Sequence, residues 1–272
     1  MWALRARLGA VASLAGPNRF GPRILGCRSG RILEPVRIGD PWVASRSPVT
    51  RGSVLLLPGV RANRLSMVRR AEFLRRSGYA TLLIDLQATG ESVGEAITFG
   101  WRERFDVLAA VQYLNVRVPG QPVAVVGVSL GGAATLLATP PLRIQGAVLE
   151  AVHASIDRAL VNRLRMRIGP FGSVIAPLIL AQLRPRWHVA EADLKPVEHI
   201  AALGCPVLLV AGTDDRHTTV DDTKRLFAVA REPKELWLVP NAAHVDLLEF
   251  AGDVYRRRIL TFLAATLSGP AG

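Results

Sequence analysis

Short, mainly apolar runs alternate with segments of helical spacing along most of the chain, and this alternation constrains the fold more than any other feature. The strand candidates are 53–57, 79–84, 122–126, 145–149, 206–211 and 235–239, and the helix candidates between and after them include 65–77, 101–114, 130–138, 220–231 and 250–267. Strands without polar alternation are typical of parallel sheets that are covered on both faces. We therefore predict an α/β fold with a mostly parallel sheet flanked by helices.

The length of 272 residues suits one large α/β domain. We assign residues 1–30 to a leader or N-terminal extension, 31–267 to the domain and 268–272 to a tail, with a β-hairpin predicted over 32–46. The stretch at about 153–196 interrupts the alternation, since it holds four prolines, two helical patches at 156–167 and 174–183, and no strand pattern. It is predicted to be a small helical cap inserted over the sheet.

The N-terminus is rich in arginine, with six Arg and no acid in the first 33 residues. This composition resembles a targeting segment with a cleavage site near Ala10–Ala12, but the apolar run Leu8–Ala15 is short for a secretory signal. We expect a short amphipathic helix or an unstructured lead-in and a cytoplasmic protein, with a cleavable targeting segment as the alternative.

The chain carries 34 basic and 22 acidic residues, a net charge of +12. The pattern argues against nucleic-acid binding, because no run of five basic residues occurs, and it is compatible with anionic substrates or peripheral contact with lipid headgroups. The longest uncharged stretch, 168–183, is interrupted by Gly and Pro, so no transmembrane helix is expected. Cys27 and Cys205 lie outside any disulfide or metal spacing, and we expect free thiols.

A G-x-S-x-G pentapeptide, Gly127 to Gly131, lies between an apolar strand pattern and a helix pattern. In this context the motif predicts a nucleophile elbow, in which a strained turn presents the hydroxyl of Ser129 and the glycines leave room for it. The alternative is a glycine-rich packing turn with an ordinary serine. A dinucleotide site is excluded because the glycines do not form G-x-G-x-x-G.

A serine nucleophile needs a base and an acid that orients the base. Among the five histidines, His244 is the candidate base because it follows the last strand pattern in a turn-like segment, whereas His217 lies on the preceding loop. Asp215 is the preferred acid because it follows a strand in G-x-x-D spacing. Asp214 and Glu150 remain as alternatives.

With these features the chain resembles the α/β-hydrolase-fold serine hydrolases, over about residues 31–267 and in the triad order Ser129, Asp215, His244. The segment 56–60 (LLPGV) stands where that family has an apolar strand followed by His-Gly, and 85–92 (DLQATGES) stands in place of D-x-R-G-x-G-x-S. The segment 98–114 resembles the compact bacterial-type members, a subgroup of esterase-like, thioesterase-like and serine peptidase-like hydrolases.

The resemblance implies an oxyanion hole made of the backbone N–H groups of Val60 and Leu130, which do not depend on the side chain at Pro58. It also implies structural roles for Asp85 and Ser92, and chemistry that needs no metal and no organic cofactor. We expect hydrolysis of a small-molecule acyl ester or thioester through an acyl-enzyme intermediate. A serine peptidase or amidase on the same triad is the first alternative, and a catalytically silent binding protein is the second.

The cap is expected to set specificity. Its apolar residues would either line an acyl pocket or only pack the cap onto the sheet: Ile156, Leu160, Leu164, Phe171, Val174, Ile175, Leu178, Ile179 and Leu180. Four arginines of its first helical patch are predicted to form a solvated face in preference to a site for a carboxylate, phosphate or coenzyme A group: Arg158, Arg163, Arg165 and Arg167.

Overall fold

The computed structural model describes residues 51–267. The predicted leader (1–30), hairpin (32–46) and tail (268–272), and with them Cys27, lie outside the described residues. Six strands form one sheet in which every neighbouring pair is parallel, in the order β2-β1-β3-β4-β5-β6. The strands are β1 (Ser53–Leu57), β2 (Ala80–Leu83), β3 (Val123–Val128), β4 (Gly146–Glu150), β5 (Val207–Gly212) and β6 (Lys234–Val239).

Nine α-helices follow or connect these strands within residues 51–267. They are α1 (Val68–Arg76), α2 (Glu103–Arg117), α3 (Leu130–Leu136), α4 (Ile156–Ile168), α5 (Phe171–Leu180), α6 (Leu183–Trp187), α7 (Pro196–His199), α8 (Val220–Val229) and α9 (Leu247–Leu267). Single turns of 3₁₀ helix occupy Arg64–Met67, Glu191–Asp193 and Ile200–Ala202.

The sheet is buried on both faces, as its uninterrupted apolar strands predict. On one face Leu55 and Leu57 of β1 pack in a cluster with residues of α2, α3 and α8. On the other face Val54 and Leu56 pack in a cluster with residues of α1 and α9. Because successive side chains of a strand point to opposite faces, a fully apolar strand supplies both layers of core at once.

The predicted and observed helices differ most clearly at two places. The last helix begins at Leu247 rather than Phe250, and it is kinked at Gly252, whose φ of 51° and ψ of −119° are not helical. Apolar spacing continues across this residue, so the sequence pattern did not reveal the kink. In the cap, the patch predicted at 174–183 is divided between α5 and α6.

The cap is formed by helices α4, α5 and α6 between β4 and β5, without a strand, as predicted. Because all strands run in the same direction, the segments that follow β3, β4, β5 and β6 meet at one edge of the sheet. Within residues 51–267, no helix is both long and apolar enough to cross a bilayer.

Candidate active site

Ser129 occupies a sharp turn between β3 and α3. Its φ of 47° and ψ of −103° lie outside the regions that non-glycine residues prefer, at a cost of about 1–3 kcal/mol. The backbone N–H of Ser129 donates to the carbonyl of Glu150 at 2.7 Å, which joins the turn to the end of β4. The structure therefore gives Ser129 the strained geometry that was predicted for an elbow.

The glycines of the pentapeptide are required by close backbone approach. A Cβ at Gly131 would lie 2.5 Å from Cβ of Leu57, and one at Gly127 would lie 2.7 Å from the backbone nitrogen of Gly132. The N–H of Gly131 also donates to the carbonyl of Pro58 at 3.1 Å. The turn that carries Ser129 is thus held against the loop that follows β1.

Asp215 and His244 are brought into direct contact from the loops after β5 and β6. Oδ2 of Asp215 lies 2.7 Å from Nδ1 of His244. Oδ1 of Asp215 accepts the backbone N–H groups of His217 at 2.8 Å and Thr218 at 2.9 Å. A buried carboxylate held in this way orients the imidazole with its proton on Nδ1 and leaves Nε2 as the acceptor.

His217 lies beside this pair, with its ring centroid 5.0 Å from that of His244. Burial lowers the pKa of His217, and repulsion from the positive charge of Arg163 lowers it further, against a raising effect of Asp215. Its hydrogen bond to the Asp215 carboxylate is donated by the backbone N–H of His217 and not by the ring. Of the two histidines, His244 is therefore the one whose ring is oriented by the acid.

The two alternative acids point elsewhere. Asp214 is exposed and accepts a hydrogen bond from the hydroxyl of Thr213 at 3.2 Å. Glu150 is buried and accepts from Nη2 of Arg70 at 2.9 Å and from the hydroxyl of Tyr255. The geometry thus favours Asp215 among the three candidates.

Arg70 connects Glu150 to the segment that carries His244. Its Nη1 donates to Oδ2 of Asp246 at 2.9 Å, and its Nε donates to the Tyr255 hydroxyl at 3.0 Å. Burial and the Glu150 carboxylate raise the pKa of Tyr255 well above its usual value, which keeps the phenol protonated. This buried network holds the end of β4 and the start of the last helix together, although sequence inspection did not identify it.

A cavity of about 520 Å³ lies between the sheet edge and the cap. Ser129 and His244 both line it, and so do Val60 and Leu130. Neither Val60 nor Leu130 donates its backbone N–H to another residue in the described part of the chain. The proposed nucleophile, the proposed base and the two residues proposed to donate to the oxyanion therefore line one cavity, and Asp215 contacts it only through His244.

The cap supplies much of the apolar lining. Members of the predicted apolar set that line the cavity are Ile156, Leu160, Leu178, Ile179 and Leu180, while Leu164, Phe171, Val174 and Ile175 are not among the lining residues. Phe171, Val174 and Leu178 are largely exposed. The cap thus both forms the cavity and presents an apolar surface to solvent.

His153 is a lining residue whose environment the sequence did not reveal. It is buried just after β4, and Nε2 has no hydrogen-bond partner among the described residues. Burial lowers the pKa of His153 to about 4, against weaker raising effects of Asp222 and Asp157. Within residues 51–267, no three His, Cys, Asp or Glu side chains are grouped as a metal site.

The loop at 85–92 has the structural role implied for it. Asp85 accepts the backbone N–H of Arg64 at 2.7 Å and that of Glu91 at 2.9 Å, and its carbonyl accepts the hydroxyl of Ser92 at 3.0 Å. Gln87, which replaces an arginine of the family pattern, donates from Nε2 to the carbonyl of Ala96 at 3.1 Å and to Oε1 of Glu103 at 3.4 Å. The uncharged amide therefore takes up both an acceptor on the backbone and the buried Glu103 carboxylate.

The predicted arginine face is only partly correct. Arg165 and Arg167 are exposed. Arg158 instead pairs with Asp222 at 2.5 Å and Asp221 at 2.6 Å, which ties α4 to α8, and Arg163 is half-buried at the wall of the cavity. Sequence spacing could not distinguish these roles, because the partners of Arg158 come from a helix more than sixty residues away.

Comparison with known proteins identifies the family and the fold. The model of the alpha/beta hydrolase family matches residues 54–257. Protein YqkD of Bacillus subtilis is 24% identical over 218 residues, which are 79% of this chain and 72% of YqkD. Protein Rv2307c of Mycobacterium tuberculosis is 26% identical over an alignment of 274 positions that covers 98% of this chain and 89% of that protein. Both relatives are uncharacterized.

Solved structures with the same architecture include two hydrolases. The esterase of Pyrococcus furiosus superposes with a TM-score of 0.66 at 21% identity, covering 80% of this chain and 84% of the esterase. The monoacylglycerol lipase of Paleococcus ferrophilus superposes with a TM-score of 0.59 at 20% identity, covering 80% and 95%. The predicted fold is thereby confirmed, and the chain belongs to the alpha/beta hydrolase family.

Proposed function

We propose that the protein is a serine hydrolase that cleaves an acyl ester or thioester through an acyl-enzyme intermediate. The observation that carries the proposal is the 2.7 Å contact between Asp215 Oδ2 and His244 Nδ1, beside a cavity that Ser129 lines in a strained turn. Strain at a lone polar residue and an imidazole with a buried carboxylate partner are costly features, and their convergence on one cavity is typical of nucleophilic catalysis.

In the proposed reaction, Nε2 of His244 takes the proton of Ser129 as Oγ attacks the acyl carbonyl. The N–H groups of Val60 and Leu130 donate to the oxyanion that develops. The bond to the leaving oxygen or sulfur then breaks, and His244 gives its proton to that atom. Asp215 holds the imidazole tautomer and stabilises the imidazolium throughout.

Water completes the cycle. His244 removes a proton from a water molecule, whose oxygen attacks the acyl-enzyme carbonyl. The bond between the acyl carbon and Ser129 Oγ then breaks, and Oγ regains a proton from His244. The carboxylic acid leaves from the apolar cavity. The cavity volume of about 520 Å³ and its lining from the cap favour an acyl chain as the group bound there.

Active-site labelling tests the proposal directly. A fluorophosphonate probe should label the wild type and fail to label Ser129→Ala in folded protein. Asp215→Asn should lower kcat on a p-nitrophenyl ester by about 10⁴-fold, because it favours the wrong imidazole tautomer. Asp214→Asn is the matched control, since it changes the neighbouring exposed carboxylate, and it should keep kcat within about twofold.

Substrate series then separate the chemistries. Rates on esters of increasing acyl length should rise and then fall as the chain fills the cavity, while a flat response would contradict the acyl-pocket assignment. Cleavage of peptide anilides without esterase activity would indicate a peptidase or amidase instead. Folded wild type that takes no label and cleaves no ester would refute the proposed function.

A further inference from the structure

A second pocket, of about 720 Å³, adjoins the cavity described above. It is lined by Arg61, Arg163, Met166, Arg167 and His217. Arg163 and His217 also line the first cavity, so the two spaces share a wall. The first cavity is mainly apolar, whereas three of the five residues around the second carry a guanidinium group.

The charge of this second pocket is not compensated within the described part of the chain. Neither Arg61, Arg163 nor Arg167 forms an ion pair with a residue in 51–267, and no acidic residue lines the pocket. Arg158 on the same helix, by contrast, is neutralised by two aspartates. Three unpaired cations around one concave space favour an anion as its occupant.

The pocket lies next to His217, close to the residue that protonates the leaving group in the proposed reaction. In the proposed reaction the leaving group receives its proton from His244, so it must lie next to that ring. The His217 ring is 5.0 Å from the His244 ring and forms part of the pocket wall. Arg61 directly follows Val60, one of the proposed oxyanion donors.

We infer that this pocket binds a phosphate group on the leaving-group half of the substrate, with Arg61, Arg163 and Arg167 as its ligands. The inference rests on the proposed function, which places the acyl chain in the first cavity. Phosphate matches the planar donor geometry of arginine and the presence of three guanidinium groups. The substrate class is then an acyl ester or thioester of a phosphate-bearing alcohol or thiol.

Binding of inert analogues tests the inference without depending on catalysis. The probes are a 1-O-alkylglycerol 3-phosphate and an S-alkyl coenzyme A, compared with the neutral 1-O-alkylglycerol of the same chain length. None of the three contains an acyl bond, so calorimetry measures affinity whether or not Ser129 is a nucleophile. At least one phosphate-bearing analogue should bind about tenfold or more tightly than the neutral one, as expected for charge-assisted hydrogen bonds.

Paired variants assign the effect to this pocket. The double variant Arg61→Gln, Arg167→Gln should reduce the ratio of phosphate-bearing to neutral affinity about tenfold or more. Arg165→Gln is the control, because Arg165 lies on α4 with Arg163 and Arg167 but donates to Ser173 Oγ at 2.9 Å and does not line the pocket. In this variant the ratio of phosphate-bearing to neutral affinity should equal that of the wild type.

The two analogues distinguish a lipid phosphate from a nucleotide phosphate, and arginine-dependent binding of either one supports the inference. Equal affinity for the neutral and both phosphate-bearing analogues would overturn it, as would a ratio that falls equally in the Arg165→Gln control. A folded wild-type protein that hydrolyses no ester but binds the phosphate-bearing analogues selectively would instead refute the proposed function and leave the phosphate site in place.

Discussion

Replacing His153 by Gln should change the way in which stability depends on pH. The imidazole is buried beside the cavity, and burial lowers its pKa from the ordinary 6.5 to about 4, although Asp222 and Asp157 partly oppose this effect. The folded protein therefore favours the neutral ring, whereas the unfolded chain titrates near 6.5. Glutamine keeps a polar side chain of similar length but cannot be protonated in this range.

The sign of the effect follows from proton binding. Above pH 6.5 the ring is neutral in both states, so His153 contributes no pH dependence. Between pH 6.5 and about 4 the unfolded state binds a proton that the folded state does not, and the free energy of unfolding falls by about 1.4 kcal/mol per pH unit. Over this interval the loss due to His153 is about 3 kcal/mol.

Urea unfolding of wild type and His153→Gln at several pH values between 7 and 4 measures the effect. Other groups titrate in both proteins, so the informative quantity is the difference between their free energies of unfolding. That difference should shift by about 3 kcal/mol in favour of the variant as the pH falls to 4. If the difference between the two free energies of unfolding stays constant from pH 7 to pH 4, whatever its size, the reasoning is refuted. His188→Asn, an exposed site in the left-handed region that asparagine tolerates, should give a profile parallel to wild type.

Three further predictions follow from buried charges and a half-buried thiol. Arg70→Met should lower the free energy of unfolding in urea by about 3–5 kcal/mol, because it leaves the Glu150 carboxylate buried without its guanidinium partner. Arg158→Gln should cost about 1 kcal/mol and speed amide exchange in α4, since the half-exposed arginine ties that helix to buried Asp222. Burial raises the pKa of Cys205 to about 12, so peptide mass spectrometry should find it unmodified by iodoacetamide at pH 8 in the folded protein.

Each of these predictions has a clear contrary result. Arg69→Met is the control for Arg70, because Arg69 pairs with Glu249 only on the surface and its loss should cost less than about 0.5 kcal/mol. A similar effect of both substitutions would contradict the role of the buried network. Unchanged exchange in α4 would contradict the tie through Arg158. Rapid alkylation of native Cys205 would show that its thiol is not shielded.

Local pattern was sufficient for the fold and for the candidate nucleophile. Apolar runs of strand length separated by helical spacing favour a parallel sheet with two covered faces, because the helices that connect successive strands pack on both faces. The strand before Gly127, the glycines and the helix after Ser129 lie within one short segment, so their relation is fixed by neighbouring residues. The position of His244 after the last strand follows from the same topology.

Contacts between distant segments were decided only by the tertiary structure. Sequence spacing favoured Asp215 but left Asp214 as an alternative, and what separates them is the inward turn of the Asp215 side chain onto two backbone N–H groups and the His244 ring. Arg61 and Arg163 meet at one pocket only because the cap folds over the loop after β1. Sequence periodicity determines which residues share a strand or a helix face, but partners, burial and pKa depend on packing between elements, and no local pattern records that packing.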